Sequence, residues 1–176
     1  MSRERIQPLV DFSAPDKVLG IEILSPATGR LLPIDAFDAN SLGQGVRIQL
    51  EKPLVQAPVN GVITKWVPAH ASLEIKTKNN LRFLLQLPYA YAEQFGLGVK
   101  PRVQVGQSVT KGTPLFELDL YKVQLLLRPV ILYVTLLDTE PFKRILVPLR
   151  FVEAGKDPLF CLVPAKTANK SPKKQA

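Results

Sequence analysis

The positions of proline and glycine restrict the fold of this chain more than any other feature of its sequence. The 176 residues include 16 prolines and 10 glycines, which cut the sequence into short stretches. Proline removes a backbone donor and glycine favours tight turns, so a chain cut up in this way does not form long helices. The stretches between them are rich in β-branched and large apolar residues, for example "GIEIL", "VRIQL", "RFLLQL" and "VILYVTLL". The sequence therefore predicts an all-β protein, a sandwich or barrel of many short strands.

Two kinds of sequence motif each occur twice. "SPATGRLLPI" (25–34) is similar to "APVNGVITKW" (57–66), because both have a small residue, a proline, two residues, a glycine and then a strand pattern. "TKGTPLFELD" (110–119) is similar to "EAGKDPLFCLV" (153–163), because both have a glycine turn followed by Pro-Leu-Phe and a strand pattern. The repeats predict two intertwined copies of one β unit.

The chain divides into an arm, one domain and a tail. Residues 1–18 are predicted to be a partly disordered arm, and residues 19–165 a single β domain, since the chain is too short for two domains of ordinary size. Residues 166–176, "KTANKSPKKQA", carry four lysines and no acid, and supply half of the net charge of +8. We predict that this basic segment is a disordered tail.

Composition also excludes several classes of partner and location. The basic residues are not interleaved with aromatic residues in a stripe, so we predict no nucleic-acid binding. No apolar run reaches the roughly 18–20 residues needed to cross a bilayer, so we predict no stable membrane insertion. The N-terminus lacks the apolar segment of a signal peptide, and Cys161 has no second cysteine to pair with. These features predict a cytoplasmic protein.

Eight segments, taken in order, resemble the glucose-type enzyme IIA domain of the bacterial phosphoenolpyruvate-dependent sugar phosphotransferase system. They cover roughly Leu19 to Val163 and read "IEILSPATGRLLPI", "LGQGVRI", "VQAPVNGVITKW", "HASLEIKTKNNLRFLLQLP", "GLGV", "VGQSVTKGTPLFELDL", "RPVILYV" and "VEAGKDPLFCLV". The resemblance implies a β-sandwich of the duplicated hybrid motif type, which agrees with the internal repeats. It also implies a phosphoryl carrier, in which one histidine accepts the phosphoryl group and a second histidine supports it.

The sequence departs from the family pattern at the accepting histidine. Where the family reads Leu-Phe-Val-His-Phe-Gly, this chain has Phe83 to Pro88, "FLLQLP", with Gln86 in the place of the histidine. A neutral imidazole nitrogen is a good nucleophile near neutral pH, whereas a carboxamide nitrogen is not, because its lone pair is delocalised into the carbonyl. The resemblance therefore predicts a homologue with no intact catalytic residue, which is not an enzyme.

The supporting histidine has two possible positions. "PAHAS" resembles the family's Asn-His-Ala-Phe, which places His70 at the supporting position. Counting back from Gln86 without gaps places Ala71 there instead, and a slip of one residue in a strand moves a side chain to the opposite face. His70 is the only histidine in the chain.

We expect the protein to act as a regulatory module that binds other proteins, either members of the phosphotransferase system or regulated targets. The family docks its partners through a shallow apolar face around the active histidines. The matching residues here are predicted to form a partner-binding patch on a monomer: Leu85, Leu87, Tyr89, Tyr91 and Phe95. No cofactor and no metal are expected.

Two alternatives remain. In the first, the chain is an active phosphoryl carrier with His70 as its sole acceptor. In the second, it is a hydrolase, but the zinc sites of β-type metallopeptidases need several His and Asp ligands, and one histidine nearly excludes them. Cys161 lies in the apolar stretch "PLFCLV", where a buried structural cysteine is expected.

Overall fold

The computed structural model describes residues 9–13, 19–34, 43–94 and 96–165. Within these ranges the first eight strands are β1 (Val10–Asp11), β2 (Ile21–Leu24), β3 (Gly29–Pro33), β4 (Gln44–Leu50), β5 (Leu54–Gln56), β6 (Gly61–Val67), β7 (Ser72–Lys76) and β8 (Arg82–Gln86). The remaining strands are β9 (Val99–Pro101), β10 (Ser108–Val109), β11 (Pro114–Leu118), β12 (Ile131–Leu136), β13 (Phe142–Leu146), β14 (Phe151–Val152) and β15 (Pro158–Pro164). One short helix, α1 (Leu120–Gln124), and two 3-10 helices, Pro68–His70 and Tyr89–Gln94, complete the described secondary structure.

The strands form three sheets around one apolar core. The largest sheet has the strand order β10-β6-β7-β8-β12-β4-β3-β14, and the other two have the orders β1-β13-β15-β2 and β5-β11-β9. Side chains from all three sheets belong to the same buried cluster, among them Phe83, Leu85, Phe116, Val134 and Phe160. The predicted all-β sandwich is confirmed.

The two sequence repeats fold into two equivalent turn contacts. In one copy the amide of Gly112 donates to the carbonyl of Ala57, and in the other the amide of Gly155 donates to the carbonyl of Ser25, both at 2.9 Å. The return bonds also match, since the amide of Ala57 donates to Thr113 and the amide of Ser25 donates to Asp157. Gly112 and Gly155 have φ angles of +85° and +69°, which side chains rarely adopt. The repeats are therefore two copies of one β unit, each closed by a glycine turn.

Strand β8 lies inside the large sheet, between β7 and β12. Phe83 and Leu85 are fully buried in the core, whereas Leu84 is only half-buried and packs against a separate cluster. Because side chains alternate along a strand, Gln86 shares the face of Leu84, which is opposite to the core. The sandwich therefore turns Gln86 outward and its two leucine neighbours inward.

The beginning of β8 is fixed by Asp138. This carboxylate accepts from the backbone amide of Arg82 at 2.8 Å and from two guanidinium nitrogens of the same residue at 3.1 and 2.9 Å. The hydrogen bond from Arg82 lowers the pKa of Asp138, so the carboxylate is ionised at neutral pH. The contact fixes the first residue of β8, the strand that ends at Gln86.

Part of the predicted arm belongs to a sheet. Val10 and Asp11 form β1, which pairs in parallel with Ile145 and Leu146 of β13. The four-stranded sheet thus begins within the segment assigned to the arm. The other arm residues, 1–8 and 14–18, and the basic tail, 166–176, lie outside the described residues, and their assignment stays a prediction.

Substitution of neighbouring leucines in β8 checks this placement. We expect Leu85→Ala to lower the free energy of unfolding by about 2–5 kcal/mol, because it leaves a cavity in a closed core. Leu84→Ala is the matched control and should cost about 1 kcal/mol or less, because its side chain is already partly exposed. Urea denaturation followed by the fluorescence of Trp66 measures both changes. Equal losses would contradict the assigned faces.

Candidate functional site

Gln86 lies in a row of side chains that crosses the large sheet on its outer face. It is opposite Tyr133 of β12, which is in turn opposite Arg47 of β4. On the other side it meets Ser72 of β7, which pairs with Val67 of β6. The row brings together residues that are far apart in the sequence, and it places Gln86 near its centre.

The Gln86 amide is buried and hydrogen-bonded. Its side chain is only 6% exposed, and its Oε1 accepts a hydrogen bond from the hydroxyl of Ser72 at 3.3 Å. A buried polar group costs free energy unless it has a partner, so the serine hydroxyl compensates for placing an amide here. This contact links the side chain of Gln86 to strand β7.

A small depression of about 180 Å³ opens beside Gln86. Its lining consists of Lys65, Val67, His70, Ser72, Gln86 and Tyr89. The ring of Tyr89 meets the ring of His70 edge-on, with centroids 6.2 Å apart and an interplanar angle of 80°. The structure therefore brings together His70 and Gln86, the two residues singled out from the sequence.

His70 reaches the depression because the chain is kinked after it. His70 ends a 3-10 helix, and the next residue, Ala71, is fully buried with a left-handed φ of 44°. The amide of Ala71 donates to the carbonyl of Pro68 at 3.0 Å, which closes this turn. Strand alternation begins only at Ser72, so gap-free counting along β7 does not apply to His70. Ala71 faces the core, and His70 is the residue that lines the depression.

One imidazole nitrogen of His70 is enclosed. Nδ1 is inaccessible to solvent and has no hydrogen-bond partner among the described residues. A buried nitrogen of this kind cannot reach a donor phosphoryl group in a partner protein without movement of the chain. Nδ1 is therefore not available as a nucleophile in this conformation.

The predicted partner-binding patch is wrong for three of its five residues. Leu85, Leu87 and Tyr91 are fully buried, because each points into the core. Tyr89 is 62% exposed at the edge of the depression and can contact a partner. Phe95 lies outside the described residues.

Sequence reasoning missed a second apolar cluster on the outer face of the large sheet. Ile131 and Tyr133 of β12 are its nearly buried centre, and Leu32, Ile34 and Leu84 pack around them. The sequence contains one signal for this cluster, which is the stretch "ILYVTL" of β12. It is apolar except for Thr135, and every residue in it is buried. A strand without apolar–polar alternation indicates burial on both faces. Because Tyr133 is opposite Gln86, this cluster adjoins the row of side chains that contains Gln86.

Two further kinds of chemical group in the described residues are metal-binding side chains and the thiol of Cys161. No group of three or more metal-binding side chains occurs in residues 9–13, 19–34, 43–94 and 96–165. Burial and the nearby Glu22 raise the pKa of the Cys161 thiol, which disfavours the nucleophilic thiolate. No helix of the described part of the chain is long and apolar enough to cross a bilayer.

Comparison with solved structures gives the class of fold. The chain superposes on the glucose permease IIA of Mycoplasma capricolum with a TM-score of 0.70 and 22% sequence identity. The match covers 80% of this chain and 94% of that one. The architecture is therefore that of a IIA domain.

Sequence comparison gives the family. The profile of the phosphoenolpyruvate-dependent sugar phosphotransferase system, EIIA 1, matches residues 21–142, and the chain belongs to this family. It is 26% identical over 123 residues to the PTS system glucose-specific EIIA component of Bacillus cereus, a match that covers 67% of this chain and 74% of that protein. It is 25% identical over 154 residues to the PTS system N-acetylglucosamine-specific EIICBA component of Escherichia coli, covering 84% of this chain but only 24% of that protein. At these identities the chain is a divergent member.

The bond between Ser72 and Gln86 can be tested by a double-mutant cycle. We expect Ser72→Ala to lower the free energy of unfolding by about 1 kcal/mol, because the buried amide oxygen of Gln86 loses its donor. Ser72→Ala in a Gln86→Leu background should cost less, because no polar oxygen is then left without a partner. Urea denaturation of the four proteins gives the coupling energy. A coupling of zero would show that the two side chains do not interact.

Tyr91 should make stability depend on pH in alkaline solution. Burial raises the pKa of its phenol above the usual value of about 10, and its hydroxyl donates to the carbonyl of Leu97. The unfolded chain then ionises before the folded one, so the stabilisation by Tyr91 is complete below pH about 10 and is lost as the pH rises toward the raised pKa. We expect the stability difference between the wild type and Tyr91→Phe to shrink over that range in thermal denaturation. A constant difference would contradict this.

Proposed function

We propose that this chain is an enzyme IIA homologue that has lost the phospho-accepting histidine and acts in the cytoplasm by binding a partner protein. The observation that carries the proposal is Gln86, at the position the family keeps for its acceptor, held by Ser72 on the outer face of the sheet. Membership of the family supports the comparison of these positions.

The chemistry of an amide supports the loss of phosphoryl transfer. Glutamine donates and accepts hydrogen bonds, so it can fill the space of a neutral imidazole. Its nitrogen has no available lone pair and cannot form a stable phosphoramidate by attack on a phosphoryl donor. The hydrogen bond from Ser72 occupies the amide oxygen as well. Gln86 therefore retains the shape of the site without its nucleophile.

The surface around Gln86 supports binding of a protein. Tyr89 is exposed at one side of the depression, half-buried Val67 belongs to the row that contains Gln86, and half-buried Leu84 lies beside that row. Half-buried Leu32 and Ile34, which pack around the buried Ile131 and Tyr133, extend this apolar area across the sheet. Interfaces between proteins commonly combine such an apolar centre with a polar rim, and tyrosine is enriched in them. The partners we propose are phosphotransferase-system proteins or targets that they regulate.

The alternative function is an active carrier that uses His70. One observation favours it, because His70 lines the depression next to Lys65, whose ammonium could stabilise a phosphoryl group. Against it stands the enclosed Nδ1, which leaves only Nε2 for attack. A single assay separates the two proposals.

Incubation with phosphoenolpyruvate and the phosphocarrier chain of a phosphotransferase system is the decisive test. We expect intact-mass spectrometry at neutral pH to find no phosphorylated form of the wild type, because Gln86 has no nucleophilic nitrogen. The glucose-specific EIIA component of Bacillus cereus is the positive control, and His70→Ala is the matched variant. A phosphoryl group on the wild type that is absent from His70→Ala would overturn the proposal and establish the alternative.

A further inference from the structure

The segment from Asp119 to Arg128 exposes apolar side chains on a folded helix. Asp119 caps α1 by accepting from the amide of Lys122, and the amide of Leu127 donates to Val123, which adds a further helical turn. Val123 is fully buried, and Leu120 and Leu127 pack against the core. These three residues anchor the inner side of the helix. The inner side of this segment is therefore packed against the domain, and its outer side faces away from the core.

The outer side carries three protruding apolar residues, which we call the helix tip: Tyr121, Leu125 and Leu126. They are 76%, 72% and 41% exposed. A surface helix normally has polar residues on its outer side, so apolar residues there indicate a contact outside the described structure. The helix tip uses none of the residues that line the depression beside Gln86.

Several cationic residues lie in the segment that carries the helix tip or at its base. Lys122 and Arg128 lie in the same segment, and Lys100 shares a cleft with Leu120 at the base of the helix. The nearby carboxylates are paired, since Asp119 lies 3.6 Å from Lys122 and Glu117 lies 2.8 Å from Arg102. The named groups are four cations, Lys100, Arg102, Lys122 and Arg128, and two carboxylates, Glu117 and Asp119, which gives this part of the chain an excess of positive charge.

We propose that the helix tip binds the surface of an anionic lipid bilayer. Leucine and tyrosine side chains insert at the boundary between headgroups and acyl chains, while lysine and arginine meet the lipid phosphates and carboxylates. This is a peripheral contact, in which the helix tip enters only the boundary between headgroups and acyl chains.

The size and shape of the helix tip favour lipid over a protein partner. The exposed area is on the order of 400 Å², about half of what each side contributes to a standard protein interface. Side chains exposed to this extent project from the surface, and a bilayer accepts projecting apolar groups without a complementary shape. A second copy of the chain would bring like charges together, because the net charge is +8. An anionic membrane removes that repulsion.

Flotation of the full chain with lipid vesicles tests the proposal. We expect binding to vesicles of phosphatidylcholine and phosphatidylserine, weaker binding at high salt, and little binding to pure phosphatidylcholine. The double variant Tyr121→Ser/Leu125→Ser should reduce the partition coefficient roughly tenfold or more, because it removes most of the inserted apolar area. Both side chains are exposed in the folded domain, and a thermal denaturation curve like that of the wild type would verify that the variant is folded.

Two control variants and one measurement of self-association separate lipid binding by the helix tip from binding by other parts of the chain. Leu149→Ser/Phe151→Ser removes two exposed apolar residues elsewhere and should leave binding unchanged. Replacing Lys170, Lys173 and Lys174 with glutamine should leave the effect of the helix-tip variant intact. The proposal is overturned if Tyr121→Ser/Leu125→Ser binds as the wild type does, which would assign binding to the basic tail. It is also overturned if sedimentation velocity shows that the helix tip drives self-association, or if no vesicles are bound.

Discussion

The fold depends on two backbone contacts, in which the glycine turns at Gly112 and Gly155 donate to the carbonyls of Ala57 and Ser25. Each contact links a turn in the second half of the chain to the beginning of a strand unit in the first half. The segments that they join are 55 and 130 residues apart, so local propensity alone cannot form them. Once both are closed, β3 and β6 start at fixed places, and the strands beyond them enter the large sheet in register. The position of Gln86 follows from this frame.

The sequence predicts the turns and the duplicated strand unit better than it predicts which side chains of β8 point to the outer face of the sheet. The closely spaced prolines and glycines indicate short strands, and the repeated turn motifs indicate a duplicated unit. Both can be recognised because only a few residue types favour tight turns. The stretch around Gln86, "RFLLQLP", does not show which residues point outward, because the large sheet is apolar on both sides of β8. Leu85 and Leu87 therefore resembled surface residues of a docking patch, although both are core residues. The outer cluster at Ile131 and Tyr133 forms only through strand pairing, which the sequence does not display.

The site combines a satisfied amide with an imidazole nitrogen that lacks a partner. Gln86 accepts a hydrogen bond from Ser72. Because the glutamine side chain is buried, loss of this bond would leave a buried polar atom without a partner. His70 Nδ1 is enclosed without one in the described part of the chain, which is an uncommon state for a buried polar atom. Lys65 and Tyr89 complete a depression that is basic and aromatic and contains no carboxylate. These features are the basis for the proposal that the depression recognises a partner by shape and charge.

The left-handed kink at Ala71 has a consequence for how the site is built. It separates the 3-10 helix that carries His70 from the ladder that begins at Ser72, so the two parts obey different spacing rules. His70 lines the depression from the short connection between β6 and β7 and not from a paired position in a strand. The position of Gln86, in contrast, is set by its pairing with Tyr133 of β12. The two sides of the depression therefore depend on different parts of the fold, one on a turn and the other on the sheet.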